Sequence, residues 1–539
     1  MLLYTNGKPS FLHEALLCQD KWMQTTDLLR TLLFSLLTLL CTATAQTPAE
    51  RVYYEIFLRS FQDSNADGVG DLAGATERLD YLQDLGVGGV WLMPFHPSPS
   101  YHGYDVTDYR AINPDYGTLE DFDVFIATAH DRDMLVIMDL VVNHTADEHP
   151  WFEQSAAEDE AYRDYYLWSE DDLGWRGTGG GPAWHELGGE YYLGLFWSGM
   201  PDLNYANAAV TEEMSEIARF WLERGVDGFR VDAIQHVIEG ADGTIRNTPE
   251  NLAWVKDFEA FIKTVNPDAF IVGETWTDAG TIAQYFEKAD LDFAFDYPLW
   301  GALLEAVQSR SASDLAFAIE QNRDLYPETA KLATFISNHD QIRPGTDLGL
   351  LRRDVPRLKL AAGLLLTLPG TPFLYYGEEI GMPNGQGDKD EEKRTPMRWT
   401  PDEPFAGFSE AEPWYPFSTD DPEITVEVQA TDPDSLLNWY RGLLELRQAH
   451  PFANAPMELL ELDNSSLLTF TRFQPDWGAL VVANLGKEEA TFDLADVAEE
   501  VRDLLSDEML SGEVSVPGTS LRVFELTSWS NAPSTASKE

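Results

Sequence analysis

Carboxyl and imidazole side chains stand at the ends of four apolar segments of the chain. Such side chains act as nucleophiles and as general acids and bases when a fold brings them into one cleft. One acidic residue in such a place is often only a helix cap, but four segments that end alike argue against coincidence. The residues concerned are Asp139, Asn143 and His144, then Arg230 and Asp232, then Glu274, and finally His339 and Asp340.

The scaffold for these residues is predicted by the alternation of apolar runs and amphipathic helices from residue 52 onward. Eight strand-like runs, each leading to a segment with helical periodicity, are typical of a (β/α)8 TIM barrel. The carboxyl ends of barrel strands form the active-site face, so the acidic residues would meet there. The predicted strands are 52–58, 87–93, 134–142, 226–232, 270–274, 291–296, 332–337 and 371–376, and the last helix is 435–448.

Two regions interrupt this alternation. Residues 145–204 are rich in Trp, Tyr and Gly and have little periodicity, so we interpret them as a domain inserted after the third strand. Residues 455–528 alternate apolar and polar side chains, which predicts a C-terminal antiparallel β-sandwich. The predicted domains are a catalytic barrel of residues 46–144 and 205–450, an inserted domain of residues 145–204 and a sandwich of residues 451–530.

The amino terminus has the pattern of a secretory signal. An apolar run of residues 31–41 follows Arg30, and a small-residue cleavage pattern ends at Ala45. We therefore expect residues 1–45 to be a signal peptide with its upstream segment, and the mature chain to be secreted or periplasmic, without a membrane attachment after cleavage. Both cysteines lie in this segment, so the mature chain would have no disulfide.

Charge is the outlying property of the composition. The chain has 92 Asp and Glu residues against 36 Lys and Arg residues, a net charge of −56. This balance argues against nucleic acid and anionic membranes as partners, because both are bound through a basic face. High salt screens repulsion among carboxylates, so we expect a halophilic protein. We also expect a monomer.

Together the four motifs resemble the signature regions of glycoside hydrolase family 13, the α-amylase family. Residues 200–204 (MPDLN) are similar to the fifth region of that family. Met200 stands at the first position of this region, as in the intermediary group between oligo-1,6-glucosidases and neopullulanases. The resemblance covers roughly residues 50–530 and implies the same order of barrel, inserted domain, barrel and sandwich.

The resemblance also implies roles for three carboxyl groups. Asp232 would be the nucleophile, Glu274 the general acid/base and Asp340 the stabiliser of the transition state. Retaining glycosidases set their two reacting carboxyl groups about 5–5.5 Å apart. Arg230, two residues before Asp232 on the same strand face, would keep that nucleophile ionised. Glu274 must instead keep its proton, which requires burial or a neighbouring carboxylate such as Asp340.

Further side chains are expected to bind the sugar. His144 and His339 would hydrogen-bond its hydroxyl groups, and Tyr104 would stack on its apolar face. Asp105 resembles the aspartate that α-glucosidases use, together with an arginine, to hold the non-reducing end. Arg394 opens an Arg-Thr-Pro-Met sequence that matches this arginine. A linked Asp105–Arg394 pair would narrow the cleft into a pocket.

The specificity signals favour an α-1,4-glucan hydrolase of α-amylase type, acting on starch, maltodextrins or malto-oligosaccharides. Ala233 follows the nucleophile, and in related α-glucosidases a small residue there accompanies α-1,4 bonds. His236 is expected to bind substrate as in α-amylases, although Gln235 replaces the usual lysine before it. Two alternatives stay open: an exo-acting α-glucosidase, and a trehalose synthase-like isomerase that rearranges maltose. A non-enzymatic barrel is disfavoured because the acidic triad is complete.

A calcium site is predicted in the loop after the first strand. Hard oxygen ligands recur at alternate positions of residues 63–71, and Gly68 permits the sharp turn at position six. Gly74 stands where an EF-hand has glutamate, so this is the loop without its paired helices, similar to the calcium loop of oligo-1,6-glucosidases. The expected Ca²⁺ ligands are Asp63, Asn65, Asp67, the backbone carbonyl of Val69, and Asp71.

Overall fold

A computed structural model describes residues 46–348, 354–460, 464–494 and 500–526. The predicted signal peptide of residues 1–45 lies outside the described residues, and so does the end of the predicted sandwich. Pro48 opens a compact unit that contains every element described below. Within these ranges no helix is both long and apolar enough to cross a membrane.

Eight parallel strands close into a barrel in which each strand pairs with its neighbours in chain order, and the eighth pairs with the first. The strands are almost completely buried, as expected when helices cover a parallel sheet. The predicted barrel is thereby confirmed. The strands are β1 (Tyr53–Ile56), β2 (Gly89–Leu92), β3 (Leu135–Val141), β4 (Gly228–Asp232), β5 (Phe270–Gly273), β6 (Phe293–Phe295), β7 (Lys331–Thr334) and β8 (Thr371–Tyr375).

The predicted strands, apart from the fourth, run longer than the observed ones at their carboxyl ends. β1 stops at Ile56, because a short helix, Leu58–Phe61, continues the apolar run. β7 stops at Thr334, although the apolar residues Phe335 and Ile336 after it are still part of the buried core. Both differences have one reason. The apolar residues that follow the strands are as buried as the strands themselves, so hydropathy does not show where hydrogen bonding between strands ends.

Helices on the outside of the barrel begin at short polar caps. The side chains of Thr118, Asn207 and Asp278 accept hydrogen bonds from backbone N–H groups in the first turn of their helices. The longer helices are Leu119–His130, Ala208–Glu223, Pro249–Val265, Ala279–Ala289, Tyr297–Ser309, Ser313–Leu325, Val355–Thr367 and Leu436–Ala449. Shorter helices are Leu72–Glu77, Leu79–Leu85, Pro150–Ala156, Pro344–Asp347 and Val426–Thr431.

Aromatic side chains fill the barrel interior. Tyr53 stacks on Phe373 at 4.8 Å between ring centroids, and Trp91 lies 5.6 Å from Phe295. These rings are buried to within a few per cent. The interior is therefore a packed core, and a cleft can open only above it, at the strand ends.

The region after β3 contains a small antiparallel sheet of Trp168–Ser169, Glu190–Leu193 and Trp184–Leu187. Isolated bridges join His144 to Asp202 and Tyr166 to Leu203. The inserted segment is thus attached at the carboxyl end of β3, which places it beside the site. The predicted limits of this domain, residues 145 and 204, stay a prediction.

The C-terminal region consists of antiparallel sheets, as predicted. Two strands, Ala490–Asp493 and Glu513–Val516, pair with each other. The larger sheet has six strands in the order Met457–Leu459, Leu467–Gln474, Trp477–Asn484, Ser520–Leu526, Val501–Asp503 and Met509–Leu510. Leu480, Val482 and Phe524 belong to the buried core that the two sheets share.

Candidate active site

Arg230 organises the floor of the site. It lies on β4 and is buried, and its Nη1 donates hydrogen bonds to Asp232 at 2.6 Å and to Asp139 at 2.8 Å. Its Nη2 lies 3.1 Å from the Oε2 atom of Glu274. Alternate residues of a strand share a face, which is why Arg230 and Asp232 point the same way. One guanidinium thus joins carboxyl groups from the ends of β3, β4 and β5.

Glu274 is held as a proton donor. Its Oε2 accepts the backbone N–H of Ala233 at 2.8 Å, and Ala233 adopts a left-handed φ of 48°. Burial, together with the charges of Asp232 and Asp340, raises the pKa of Glu274 to about 7 against the opposing effect of Arg230. Glu274 can therefore keep its proton near neutral pH, as the sequence requires of a general acid.

His339 and Asp340 form a charged pair above β7. The His339 Nε2 lies 3.1 Å from Asp340, and its Nδ1 lies 2.5 Å from Glu55 of β1. Burial lowers the pKa of His339, but these two carboxylates prevail and raise it to about 10. Burial likewise opposes ionisation of Asp340, yet His339 and Arg394 hold the pKa of Asp340 well below its usual range. Asp340 therefore stays a carboxylate in the cleft.

Tyr104 lies against this pair. Its hydroxyl donates to Asp139 at 3.0 Å and lies 2.6 Å from the His339 Nε2. Its ring is nearly parallel to the His339 ring, with centroids 5.4 Å apart. The hydroxyl is fixed inside the protein, so Tyr104 offers the cleft the apolar part of its ring, as stacking on a sugar requires.

His144 and His236 line the cleft as neutral imidazoles. Burial lowers the pKa of both rings, that of His236 to about 4. His236 Nδ1 bonds the carbonyl of Ile245 at 2.8 Å, whereas the buried His144 Nε2 has no hydrogen-bond partner within the described ranges. The Phe196 ring lies 5.1 Å from His144 and 5.8 Å from His236. His144 thus has a free ring nitrogen for a ligand.

The predicted link between Asp105 and Arg394 is not formed. The Arg394 Nη2 instead lies 3.0 Å from Asp340 and 2.7 Å from Asp390. Asp105 is buried and accepts hydrogen bonds from hydroxyls of its own loop, at 2.5 Å in the case of Ser98. Each group has nearer partners, so the ion pair that lines this part of the cleft is formed by Arg394 and Asp390.

Asp390 was not anticipated from the sequence. It also accepts a hydrogen bond from the Tyr101 hydroxyl at 3.1 Å. An acidic residue four positions before an arginine is a recognised ion-pair spacing, and that signal was present. The Arg-Thr-Pro-Met sequence predicted Asp105 as the partner of Arg394 instead.

A cleft of about 920 Å³ is lined by Tyr104, His144, Asp232, His236, Glu274, Asp340, Asp390 and Arg394, among others. The sequence analysis missed several of its wall residues, because aromatic and basic side chains in loops have no periodic pattern. Trp276 is half exposed and stacks on Tyr297 with centroids 4.9 Å apart. The other wall residues that were not predicted are Arg176, Phe196 and Arg246.

The predicted calcium loop is curled around Asp63. The Asp63 carboxylate accepts backbone N–H groups from Asn65 at 2.9 Å and Gly68 at 2.8 Å. Asn65 Oδ1 accepts the N–H of Asp67, and Asp67 Oδ1 accepts that of Val69. Oxygen atoms of this kind suit Ca²⁺.

Asp71, the last of the predicted ligands, caps the helix Leu72–Glu77 by accepting the N–H of Gly74 at 2.7 Å. Within the described ranges, no three His, Cys, Asp or Glu side chains lie close enough together to hold a metal. A Ca²⁺ ion in this loop would thus depend on amide and carbonyl oxygens as well as carboxylates.

A second group of oxygen atoms lies where the inserted segment meets the barrel. The Asp202 Oδ2 and the Glu239 Oε1 are buried and have no hydrogen-bond partner in the described part of the chain. Burial raises the pKa of Asp202 to about 7, and burial together with Asp202 raises the pKa of Glu239 well above its usual range. With Asn143 beside Asp202, these oxygens could hold a cation. Glu239 was not predicted from the sequence.

Comparison with known proteins gives consistent matches. The profile of the alpha-amylase catalytic domain matches residues 55–455. Over 463 residues the chain is 39% identical to alpha-amylase 3 of Dictyoglomus thermophilum, covering 84% of this chain and 88% of that protein. Over 505 residues it is 35% identical to a trehalose synthase/amylase of Mycolicibacterium smegmatis, covering 81% and 84%. The crystal structure of an alpha-amylase from H. orenii matches with a TM-score of 0.79 and 37% identity, covering 88% of this chain and 99% of that one.

Proposed function

The chain belongs to glycoside hydrolase family 13, the α-amylase family, and from that premise we propose that it hydrolyses α-1,4-glucosidic bonds in malto-oligosaccharides and starch with retention of configuration. One observation carries the proposal. Arg230 joins Asp232 to Glu274, and burial raises the pKa of Glu274 to about 7. A carboxyl group that can keep its proton therefore faces the cleft beside a second carboxyl group, as a double displacement requires.

The proposed chemistry uses both carboxyl groups in two steps. The Asp232 carboxylate attacks the anomeric carbon while Glu274 gives its proton to the leaving oxygen, which breaks the glycosidic bond and forms a glycosyl–enzyme ester. Glu274, now ionised, takes a proton from water as the water oxygen attacks the same carbon. This step breaks the ester, restores both carboxyl groups and gives the product in the α configuration.

Charged groups around the sugar ring support the transition state. Asp340 stays ionised beside His339 and Arg394, so a negative charge faces the oxocarbenium-like carbon as it becomes positive. Tyr104 supplies an apolar ring on which the sugar can stack, and the free Nε2 of His144 can hydrogen-bond a sugar hydroxyl.

A time course of products from maltoheptaose tests the proposal. We expect a range of shorter maltodextrins early in the reaction, and NMR should show α-anomers first. Products of inverted β configuration would contradict the double displacement. Absence of turnover on maltoheptaose and starch would refute the activity itself.

A second candidate, exo-acting α-glucosidase, is favoured by the Arg394–Asp390 pair at one end of the cleft. An exo-acting enzyme would release glucose from maltoheptaose from the start. The trehalose synthase-like alternative is favoured by the relative with that name, 35% identical to this chain. Incubation with maltose distinguishes it, because an isomerase yields trehalose and a hydrolase yields glucose.

Calcium and export belong to the same proposal. Ca²⁺ would be held by the oxygens of Asp63, Asn65, Asp67, Val69 and Asp71, and it would stiffen a loop that lies outside the reacting centre. Secretion would follow removal of residues 1–45. N-terminal sequencing of exported protein tests that step, with Gln46 expected as the first residue.

A further inference from the structure

Arg176 and Arg246 differ from every other arginine in the part of the chain that the structure describes. Their guanidinium groups take part in no hydrogen bond or ion pair with the protein, whereas each of the others has at least one such partner. The chain has 92 acidic residues, so carboxylate partners are abundant. Both exceptions line the cleft.

Packing explains why the two arginines share one wall. A Cβ atom on Gly243 would lie only 3.0 Å from the indole nitrogen of Trp175, so the inserted segment is in close contact with the loop after β4. Ile245 packs against the same small apolar cluster as Trp175. The residues that follow Trp175 and Ile245 are Arg176 and Arg246, and the contact therefore brings both to the same side.

This wall flanks His236. The Ile245 carbonyl bonds the His236 Nδ1 at 2.8 Å, and the charge of Arg246 contributes to the lowered pKa of that ring. Gln235 lies beside it, and its buried Oε1 has no hydrogen-bond partner among the described residues. The wall thus offers guanidinium donors and one amide to a ligand.

Arg394, the third arginine that lines the cleft, is not free in this way. It is held by Asp340 and Asp390, and Tyr101 donates its hydroxyl to Asp390. Glu274, the proposed donor of a proton to the leaving oxygen, accepts the N–H of Ala233, and the loop that starts there continues into Gln235 and His236. The leaving group would therefore lie along this loop and the two free arginines beside it.

We propose that Arg176 and Arg246, together with Gln235, bind the hydroxyl groups of the sugar units on the leaving-group side of the bond that is cleaved. This inference rests on the proposed function and assigns its substrate specificity on that side. Guanidinium groups have five N–H donors and no acceptor, which suits the oxygen-rich edge of a glucan chain.

The test compares two substrates that differ in their leaving groups. When maltoheptaose is cleaved, the leaving group is a sugar chain. When α-maltosyl fluoride is cleaved, the leaving group is fluoride, which makes no sugar contact with this wall. In the double variant R176Q/R246Q, kcat/KM for maltoheptaose should fall about tenfold or more, mainly through KM. For α-maltosyl fluoride it should change by less than about twofold. Each single variant should show a smaller loss on maltoheptaose alone.

Controls keep the test decisive. Arg219→Gln removes a partly exposed arginine on the helix Ala208–Glu223, which does not line the cleft, and should leave both substrates unaffected. Arg246→Lys keeps the charge and should restore part of the loss seen in Arg246→Gln. Thermal midpoints equal to that of the wild type would show that the variants are folded.

Three results would overturn the inference: equal losses on both substrates, no loss on either, or a preference of the wild type for a 6-phosphorylated maltodextrin over the neutral one. The last would mean that the arginines bind an anion. A wild type inactive on both maltoheptaose and α-maltosyl fluoride would instead refute the proposed function itself.

Discussion

The floor and the leaving-group wall of the cleft use the same side chain in opposite ways. On the floor, Arg230 is buried and shares its charge among Asp139, Asp232 and Glu274. On the wall, Arg176 and Arg246 are exposed and have no protein partner among the described residues. The comparison shows that a guanidinium fixes the position of catalytic groups when it is paired with them, and that its N–H groups stay available to a ligand when it is not.

The difference follows from solvation. A buried charge without a partner is strongly destabilising, by about 3–5 kcal/mol when one member of a buried pair is removed. Because Arg230 is buried, its charge must be paired with carboxylates. Exposed arginines lose little by staying unpaired, because water solvates them, and surface ion pairs contribute at most about 1 kcal/mol. An unpaired arginine costs little on the wall and is not tolerated on the floor.

The largest effect on turnover is expected from a substitution in the floor of the cleft. Asp232→Asn leaves the Arg230 network nearly the same shape but removes the nucleophile, so no glycosyl–enzyme ester can form. Turnover of maltoheptaose should fall by about a thousandfold or more. The matched control is Asp123→Asn, which removes a surface partner of Arg224 and should leave turnover unchanged. More than about a hundredth of the wild-type rate in Asp232→Asn would show that another group is the nucleophile.

The pH profile tests the protonation that the floor imposes. Glu274 must carry its proton to donate it, and burial raises its pKa to about 7. Therefore kcat/KM should fall about tenfold per pH unit as the pH rises beyond about 7. As a control for irreversible unfolding, enzyme that has been incubated at each pH is returned to pH 6 and its activity is measured there. A rate that stays constant up to pH 9 would contradict the assignment of Glu274 as the acid.

The part of the cleft lined by Arg394 and Asp390 is expected to respond less strongly than the floor, and to affect short substrates more than long ones. Arg394→Ala removes the partner of Asp340 and Asp390 and would widen the cleft at that end. Activity on maltose should fall about tenfold, since charge-assisted hydrogen bonds contribute roughly 1.5–3 kcal/mol each, and activity on long maltodextrins should fall less. The ratio of the two kcat/KM values measures the effect.

Asp390→Asn sharpens the same comparison, because it weakens the hold on Arg394 without removing it. It should lower the ratio of kcat/KM on maltose to kcat/KM on long maltodextrins by a few-fold, in the same direction as Arg394→Ala. Glu391→Gln, an acidic neighbour in the same turn, serves as the control. An unchanged ratio in both Arg394→Ala and Asp390→Asn would remove the reason to treat this end as substrate-binding.

The contrast between floor and walls also explains what the sequence could predict. Residues of the floor follow strands, and strand order fixes where they meet, so Arg230, Asp232 and Glu274 were placed together correctly. Partners on the walls depend on how loops fold back. Arg394 therefore pairs with Asp390 in its own turn where the motif suggested Asp105. Glu239 and Arg246 lie in loops without periodicity, and nothing in the sequence marked them.

The smallest effect on activity is expected at the loop of residues 63–71, which contributes no group to the proposed reaction. Its oxygens lie in a turn held by its own backbone N–H groups, so a bound Ca²⁺ would stabilise the fold without entering the reaction. EDTA should lower the thermal midpoint by a few degrees, and Asp67→Ala should abolish the response to added Ca²⁺ while kcat at low temperature stays within about twofold. Asp121→Ala, at a helix cap elsewhere, is the control for a general loss of stability. A full calcium response in Asp67→Ala would exclude this loop and direct attention to the buried oxygens of Asp202 and Glu239.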